Sequence, residues 1–164
     1  YLQKFLTCVN KFNETMKLQK GITGLGSEPT FVMEDLVNVL KNIKQPFVKI
    51  GDIHRPNEST SFYQVKLKNV KNDEEFYLLM NSTYMIFACV NKNRCFDLNF
   101  IDFPTDLITQ IKANFKSSVI LLNPKDLIRK IEQHDLEFLS ESEMKQINYW
   151  KSKTVGEVIF NCYD

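Results

Sequence analysis

The sequence predicts an α+β fold in a single domain over residues 1–164, with N-terminal helices, a central antiparallel β-meander, and C-terminal helices packed on the sheet. Three observations predict it. Before residue 44, apolar residues recur at three- and four-residue steps. Between 47 and 100 the pattern breaks into short runs rich in aromatic and β-branched residues. Past 104 the helical spacing returns.

Leu2, Phe5, Leu6, Val9, Phe12 and Met16 form one stripe, which predicts a helix over 2–19 with Lys4, Lys11 and Lys17 on its other side. Such a face also suits an anionic lipid surface, although packing on a core explains it better. Gly21-Ile-Thr-Gly-Leu-Gly-Ser-Glu-Pro29 ends that helix. The stretch superficially resembles a phosphate loop, but no Gly-Lys-Ser/Thr follows and no apolar strand precedes it. A second helix is expected over 31–43, with Thr30 as N-cap and Glu34 and Asp35 in the first turn.

The strands are expected at 47–50, 61–67, 75–80, 84–90 and 95–100. Phe62, Gln64 and Lys66 fall on one face of the second strand, and Tyr63, Val65 and Leu67 on the other. Lys71–Glu74 and Asn91–Arg94 read as hairpin loops. Connections this short exclude parallel crossovers within the meander.

Pro104-Thr-Asp opens a helix expected over 105–116, and Val119-Ile-Leu-Leu122 reads as a short buried strand. Asn123-Pro-Lys-Asp starts a helix expected over 124–134. Ser140-Glu-Ser-Glu143 is a capping-box sequence that places the last long helix at 141–150, with a further turn near 154–161. The tail carries Trp150, the chain's one tryptophan, and the apolar run Val158-Ile-Phe160. Such a terminus is expected to dock on the core rather than fray. Phe5, Phe12, Leu36, Phe87, Leu98, Ile111 and Leu121 are expected to be largely buried.

Net charge is +1, so no global field favours a nucleic acid or a membrane. The distribution is uneven: 11 basic and 6 acidic side chains in 1–72, against 10 and 14 in 73–164. No apolar run approaches the roughly 18 residues needed to cross a bilayer. The chain opens at Tyr1 without methionine, so a missing or processed start is expected, and any cleaved signal peptide would already be gone. Cys8, Cys89, Cys95 and Cys162 match no zinc framework. They read as reduced thiols of a cytoplasmic protein, with a Cys89–Cys95 bridge across a hairpin tip as the alternative.

Candidate chemistry is sparse. His54 in Gly51-Asp-Ile-His-Arg-Pro56 lies two residues from Asp52, and Asp52, His54 and Arg55 are the nearest approach to an enzyme site. The plain reading is a histidine in a surface loop. His134 sits at a predicted helix end, where the helix dipole favours its charged form. Lys66 and Lys68 on an aromatic-rich strand raise base stacking, but no ribonucleoprotein-type consensus accompanies them. No cofactor, metal, nucleic acid, membrane or small-molecule substrate is expected. Asp135, Glu137, Glu141 and Glu143 surround the start of the last long helix. They read as a solvated face or, more sharply, as a docking patch for a basic partner, with Trp150 beside it.

Trp150-Lys-Ser-Lys-Thr154, Gly156-Glu-Val-Ile-Phe-Asn161 and the closing Tyr163-Asp164 resemble the end of small bacterial proteins encoded beside polymorphic or contact-dependent toxins. The preceding His134–Glu143 stretch is similar in character. The resemblance implies a cytoplasmic immunity protein that binds one cognate toxin domain and blocks it. It supplies no catalytic residues. An acidic patch would match the basic substrate groove of a nuclease, which makes a nuclease the expected toxin class. The alternative is a small enzyme of unrecognised type built on Asp52, His54 and Arg55.

Overall fold

A computed structural model describes residues 17–25, 30–57, 59–94, 97–114 and 119–163. The predicted helix over 2–19 falls almost wholly outside them, and its last residues, 17–19, are irregular. Helix α1 (Met33–Asn42) is followed by β1 (Phe47–His54), β2 (Phe62–Asn69), β3 (Glu74–Asn81), β4 (Ile86–Arg94) and β5 (Asp97–Ile101). Then come α2 (Thr105–Asn114), β6 (Ile120–Leu121), α3 (Pro124–Leu127), a 3-10 turn (Gln133–Leu136), α4 (Glu141–Trp150) and α5 (Val155–Ile159).

The five long strands form an antiparallel meander in the order β1-β2-β3-β4-β5, as the alternating pattern predicts. The fold is therefore α+β, with helices before and after the sheet. The short strand β6 adds a parallel pair against β4, Ile86 beside Ile120 and Phe87 beside Leu121. The connection that makes this possible contains α2, which is long enough for a crossover.

Both faces of the sheet are covered. Tyr63, Val65 and Leu67 of β2 join Leu78, Met80, Phe87 and Cys89 in a core closed by Leu36 and Val39 of α1 and Leu107 and Ile111 of α2. Phe62, Leu79, Ile86, Ala88 and Val90 point the other way. They meet Leu127, Ile147, Val155, Val158, Ile159 and Phe160 from the C-terminal helices. The period-2 alternation of the strands thus feeds two cores, because side chains on a strand alternate between faces. Leu36, Phe87 and Ile111 are fully buried. Leu98 and Leu121 are only half-buried, since β5 is an edge strand and β6 a two-residue addition. Phe5 and Phe12 lie outside the described residues.

Several boundaries differ from the sequence reading, three of them with a clear local cause. The N-cap of α1 is Val32, not Thr30; Asp35 reaches back to accept a hydrogen bond from the Val32 N–H at 2.9 Å. Asn91–Arg94 belongs to β4 rather than to a loop, being paired with β5. The helix expected over 124–134 stops at Leu127, because the next residues are held by the tail instead. Val155 N–H donates to Arg129 O at 3.1 Å, Ile131 N–H donates to Lys153 O at 3.1 Å, and Lys130 bridges Thr154. Tertiary pairing here overrides a helical apolar pattern.

Candidate functional site

The acidic cluster does not form a surface patch. Asp135 is fully buried and Arg129 grips it with two hydrogen bonds, at 2.8 and 2.6 Å. The Glu132 N–H adds a third at 2.7 Å. Burial alone would push the Asp135 carboxyl up, but the Arg129 bonds, the Glu132 N–H and the guanidinium charge outweigh it and hold the group below its ordinary value. Glu143 is also fully buried. One of its oxygens accepts from Gly21 N–H at 2.9 Å and from the Thr23 hydroxyl at 2.9 Å; the other accepts from Ser140 N–H and the Ser140 hydroxyl, at 2.9 and 2.7 Å. Gly21 and Thr23, from the stretch that superficially resembled a phosphate cradle, instead hold the protein's own Glu143 carboxyl group.

The reading of Asp135 and Glu143 as docking residues is corrected by this burial. Both act as internal cross-links. Glu137 and Glu141 remain exposed, but Glu137 is ion-paired with Lys17, whose ammonium also lies 5.1 Å from the Phe138 ring centre. The Lys17 hydrogen bond and charge hold Glu137 below the usual carboxylate range. Glu141 pairs with Lys145 one turn along α4, at 2.9 Å.

Trp150 sits differently. It is half-buried at the end of α4, its indole N–H donates to Gln146 Oε1 at 3.0 Å, and its ring stacks on Tyr163 with centres 6.3 Å apart and planes 7° off parallel. Tyr149 stands edge-on to it at 5.3 Å and is 75% exposed. The Tyr163 hydroxyl is tied to the Ser152 hydroxyl at 2.6 Å. Burial, partly offset by that bond, pushes the Tyr163 phenol up to about 12. After Trp150 the chain turns sharply: Lys151 adopts a left-handed conformation (φ 55°), and its N–H and that of Ser152 both close on Ile147 O. A left-handed non-glycine residue is unfavourable and persists only where its surroundings fix it.

This turn lines a groove of about 520 Å³, together with Leu98 and Phe100 of β5, Ile128, Phe160 and Tyr163. Ile128 is 63% exposed, an unusual position for an isoleucine in a packed segment. Helix α5 packs closely on β5 and α3: a Cβ on Gly156 would lie 2.6 Å from Phe100 Cε2 and 3.0 Å from Leu127 O.

A second hollow, of about 410 Å³, is lined by Ile53, His54, Arg55, Asn57, Thr60, Phe62 and Gln64. His54 ends β1, opposite Gln64, rather than lying in a loop between strands. Asp52 does not reach it. The β1–β2 register jumps between Ile50 and Ile53, so Gly51 (φ 78°) and Asp52 bulge out of the ladder. No hydrogen bond or ion pair joins Asp52 to His54. Arg55 donates through Nε to Met33 Sδ at 2.9 Å. The three residues therefore do not converge on one reacting position. Lys66 and Lys68 on the neighbouring strand are ion-paired with Glu75 and Asp73.

Among the described residues, no group of three or more His, Cys, Asp or Glu gathers as metal ligands would. Cys89 is a free, buried thiol, and burial pushes its ionisation up. It is therefore not bridged to Cys95. Cys162 is disulfide-bonded, which corrects the reading of four reduced thiols. No described helix is long and apolar enough to cross a membrane.

Sequence reasoning found Trp150 but missed its setting. The Ser152–Tyr163 tie depends on the turn after Trp150, which residue spacing does not show. Ile128 falls within the helix expected over 124–134, but that helix ends at Leu127 and leaves it exposed. Compared with protein-family models, curated proteins and solved structures, the chain matches none of them significantly.

Proposed function

We propose that this is a non-enzymatic binding protein, specifically an immunity protein that neutralises one cognate toxin domain through a tight one-to-one complex. One observation carries the reading: Trp150 lines a groove, with the exposed Tyr149 ring edge-on beside it. It lies within the segment whose sequence resembles proteins of that class. Large aromatic side chains at a rigid, part-exposed position are the usual energetic anchors of protein interfaces. The acidic cluster no longer argues for a nuclease as the toxin, because two of its four members are internal. A cytoplasmic location belongs to this reading, and the Cys162 disulfide is the observation that opposes it.

The test is to co-express the chain with the C-terminal domain encoded by the neighbouring gene in a sensitive cell. Survival is expected. Continued killing with both proteins folded and present defeats the reading. The small-enzyme alternative draws on the hollow beside His54 and Arg55, and Asp52 counts against it. His54→Ala separates the two, since it should leave neutralisation intact.

A further inference from the structure

The hollow at the end of β1 carries hydrogen-bond donors that the fold leaves unused. Arg55 spends only its Nε, on Met33 Sδ. Among the described residues, its two terminal nitrogens have no partner, and neither has the His54 ring. That ring offers an N–H whether charged or neutral. Asn57 is oriented by its neighbours: its Oδ1 accepts from Ser59 N–H at 2.9 Å and from the Thr60 hydroxyl at 3.1 Å. Its Nδ2 group is thereby left as a donor without an acceptor. No aspartate or glutamate among the described residues lines the hollow. Asp35 of the nearby helix α1 is spent on the Val32 N–H.

The backbone that carries these groups is braced. Asn57 and Thr60 exchange N–H···O bonds at 3.2 and 3.3 Å, and His54 is held in register with Gln64. Donors on a fixed backbone lose less freedom when a ligand binds, which favours affinity. Phe62, buried, and Ile53, half-buried, supply the apolar lining. The volume, about 410 Å³, lies in the range of small-molecule pockets.

A guanidinium, an imidazole and an amide NH₂ on one hollow call for a ligand rich in acceptors. An oxyanion answers that demand, because it offers several lone pairs and a charge that strengthens each bond. We infer that this hollow binds a small molecule through a phosphate or carboxylate group, held by Arg55, His54 and Asn57. It shares no lining residue with the Trp150 groove, so the inference stands apart from the toxin-binding reading.

The probes are phenyl phosphate and benzoate, with benzylammonium as the cationic control, read by nitrogen–proton NMR of the full chain. One or both anions should shift the Asn57 side-chain amide and the Arg55 Nε–H saturably, with the Trp150 indole unmoved and affinity falling as salt rises. The tighter of the two identifies the oxyanion. Arg55→Gln removes the charge. Asn57→Asp keeps an oxygen for Ser59 and Thr60 but sets a negative charge where the donor stood. Each should weaken binding at least about tenfold, the effect of losing one hydrogen bond to a charged group. Both side chains are exposed, so the variants should fold, and unchanged melting curves verify that. No saturable shift at millimolar anion, an equal response to benzylammonium, or unchanged affinity in both variants overturns the inference.

Discussion

The Glu143 carboxylate lies 2.9 Å from the Thr23 hydroxyl, across 120 residues of sequence and with no access to solvent. It joins the loop after the N-terminal segment to the first turn of α4. Five donors reach it: the Gly21 and Thr23 N–H groups, the Thr23 hydroxyl, and the Ser140 N–H and hydroxyl. Glu143→Ala would leave several of them buried without an acceptor, at about 1–3 kcal/mol each where water cannot enter. Glu143→Gln would turn an NH₂ group toward some of the same donors. Both are expected to lower the unfolding free energy read from urea melts, and with it the midpoint, Glu143→Ala by about 3 kcal/mol or more. A midpoint within error of the wild type would show that the loop closes without it.

The same geometry changes how charge reversal must be read. Glu137→Lys and Glu141→Lys alter exposed pairs, which solvent screening leaves contributing little to stability. The double variant should melt near the wild type. Adding Glu143→Lys should unfold the protein, so lost binding in such a triple variant would report folding and not docking. Circular dichroism of the double and triple variants separates the two effects.

Asp135 predicts an acid dependence. Its folded-state ionisation lies below the ordinary value of 3.8, so the contribution is fully present above that value and is lost as pH falls through the lower folded one. Unfolding free energy should decline as pH is lowered through this range. Asp135→Asn should remove that part of the slope. Arg129→Ala would leave a buried carboxylate unpaired, a change that costs about 3–5 kcal/mol at neutral pH, and should destabilise more than Asp135→Asn. The reverse order would mean that Asp135 is solvated in solution.

The sheet was legible in the sequence because each strand alternates between two covered faces; Phe62 and Tyr63 could be assigned to opposite cores from spacing alone. Helix α4 was legible because its capping box is local, Ser140 and Glu143 lying three residues apart. The partners that use up Asp135 and Glu143 were not. Arg129 lies six residues from Asp135, beyond a helix end that spacing could not place, and Gly21 lies 122 residues from Glu143. A carboxylate's burial depends on such distant donors, so a run of acids reads as a surface until the fold is known.

Phe160 tests the docking of the tail. It is buried against Phe62, edge-on at 5.8 Å, and Phe100. Asn161 then locks the tail, its amide donating to Thr23 O at 2.9 Å and Val158 O at 3.0 Å. Phe160→Ala should cost about 3–5 kcal/mol. Gly156→Ala should cost less but measurably, about 1–3 kcal/mol, since its methyl would press on the Phe100 ring and on backbone. Deleting residues 158–164 should abolish cooperative melting. A deletion variant that still melts as the intact chain does would show the tail to be a detachable peptide.

The Cys162 disulfide bears on where the protein works. The bond anchors a segment that is already buried through Val158, Ile159 and Phe160, so reduction should loosen the tail without unfolding the domain. Native disulfides commonly contribute about 2–4 kcal/mol, chiefly by restricting the unfolded chain. Dithiothreitol is therefore expected to lower the melting midpoint of oxidised protein, and Cys162→Ser should reproduce the shift and make it insensitive to reductant. Cys89, buried and unpaired, should label only on unfolding. Glutathione and thioredoxin keep such bonds open in the cytoplasm. Protein made there should carry Cys162 as a thiol, and protein directed to an oxidising compartment should carry it bonded. If the cytoplasmic, reduced form melts at the oxidised midpoint and neutralises its partner equally well, the bond is dispensable and the cytoplasmic reading stands. If only the bonded form is stable enough to bind, the partner must be met outside the cytoplasm.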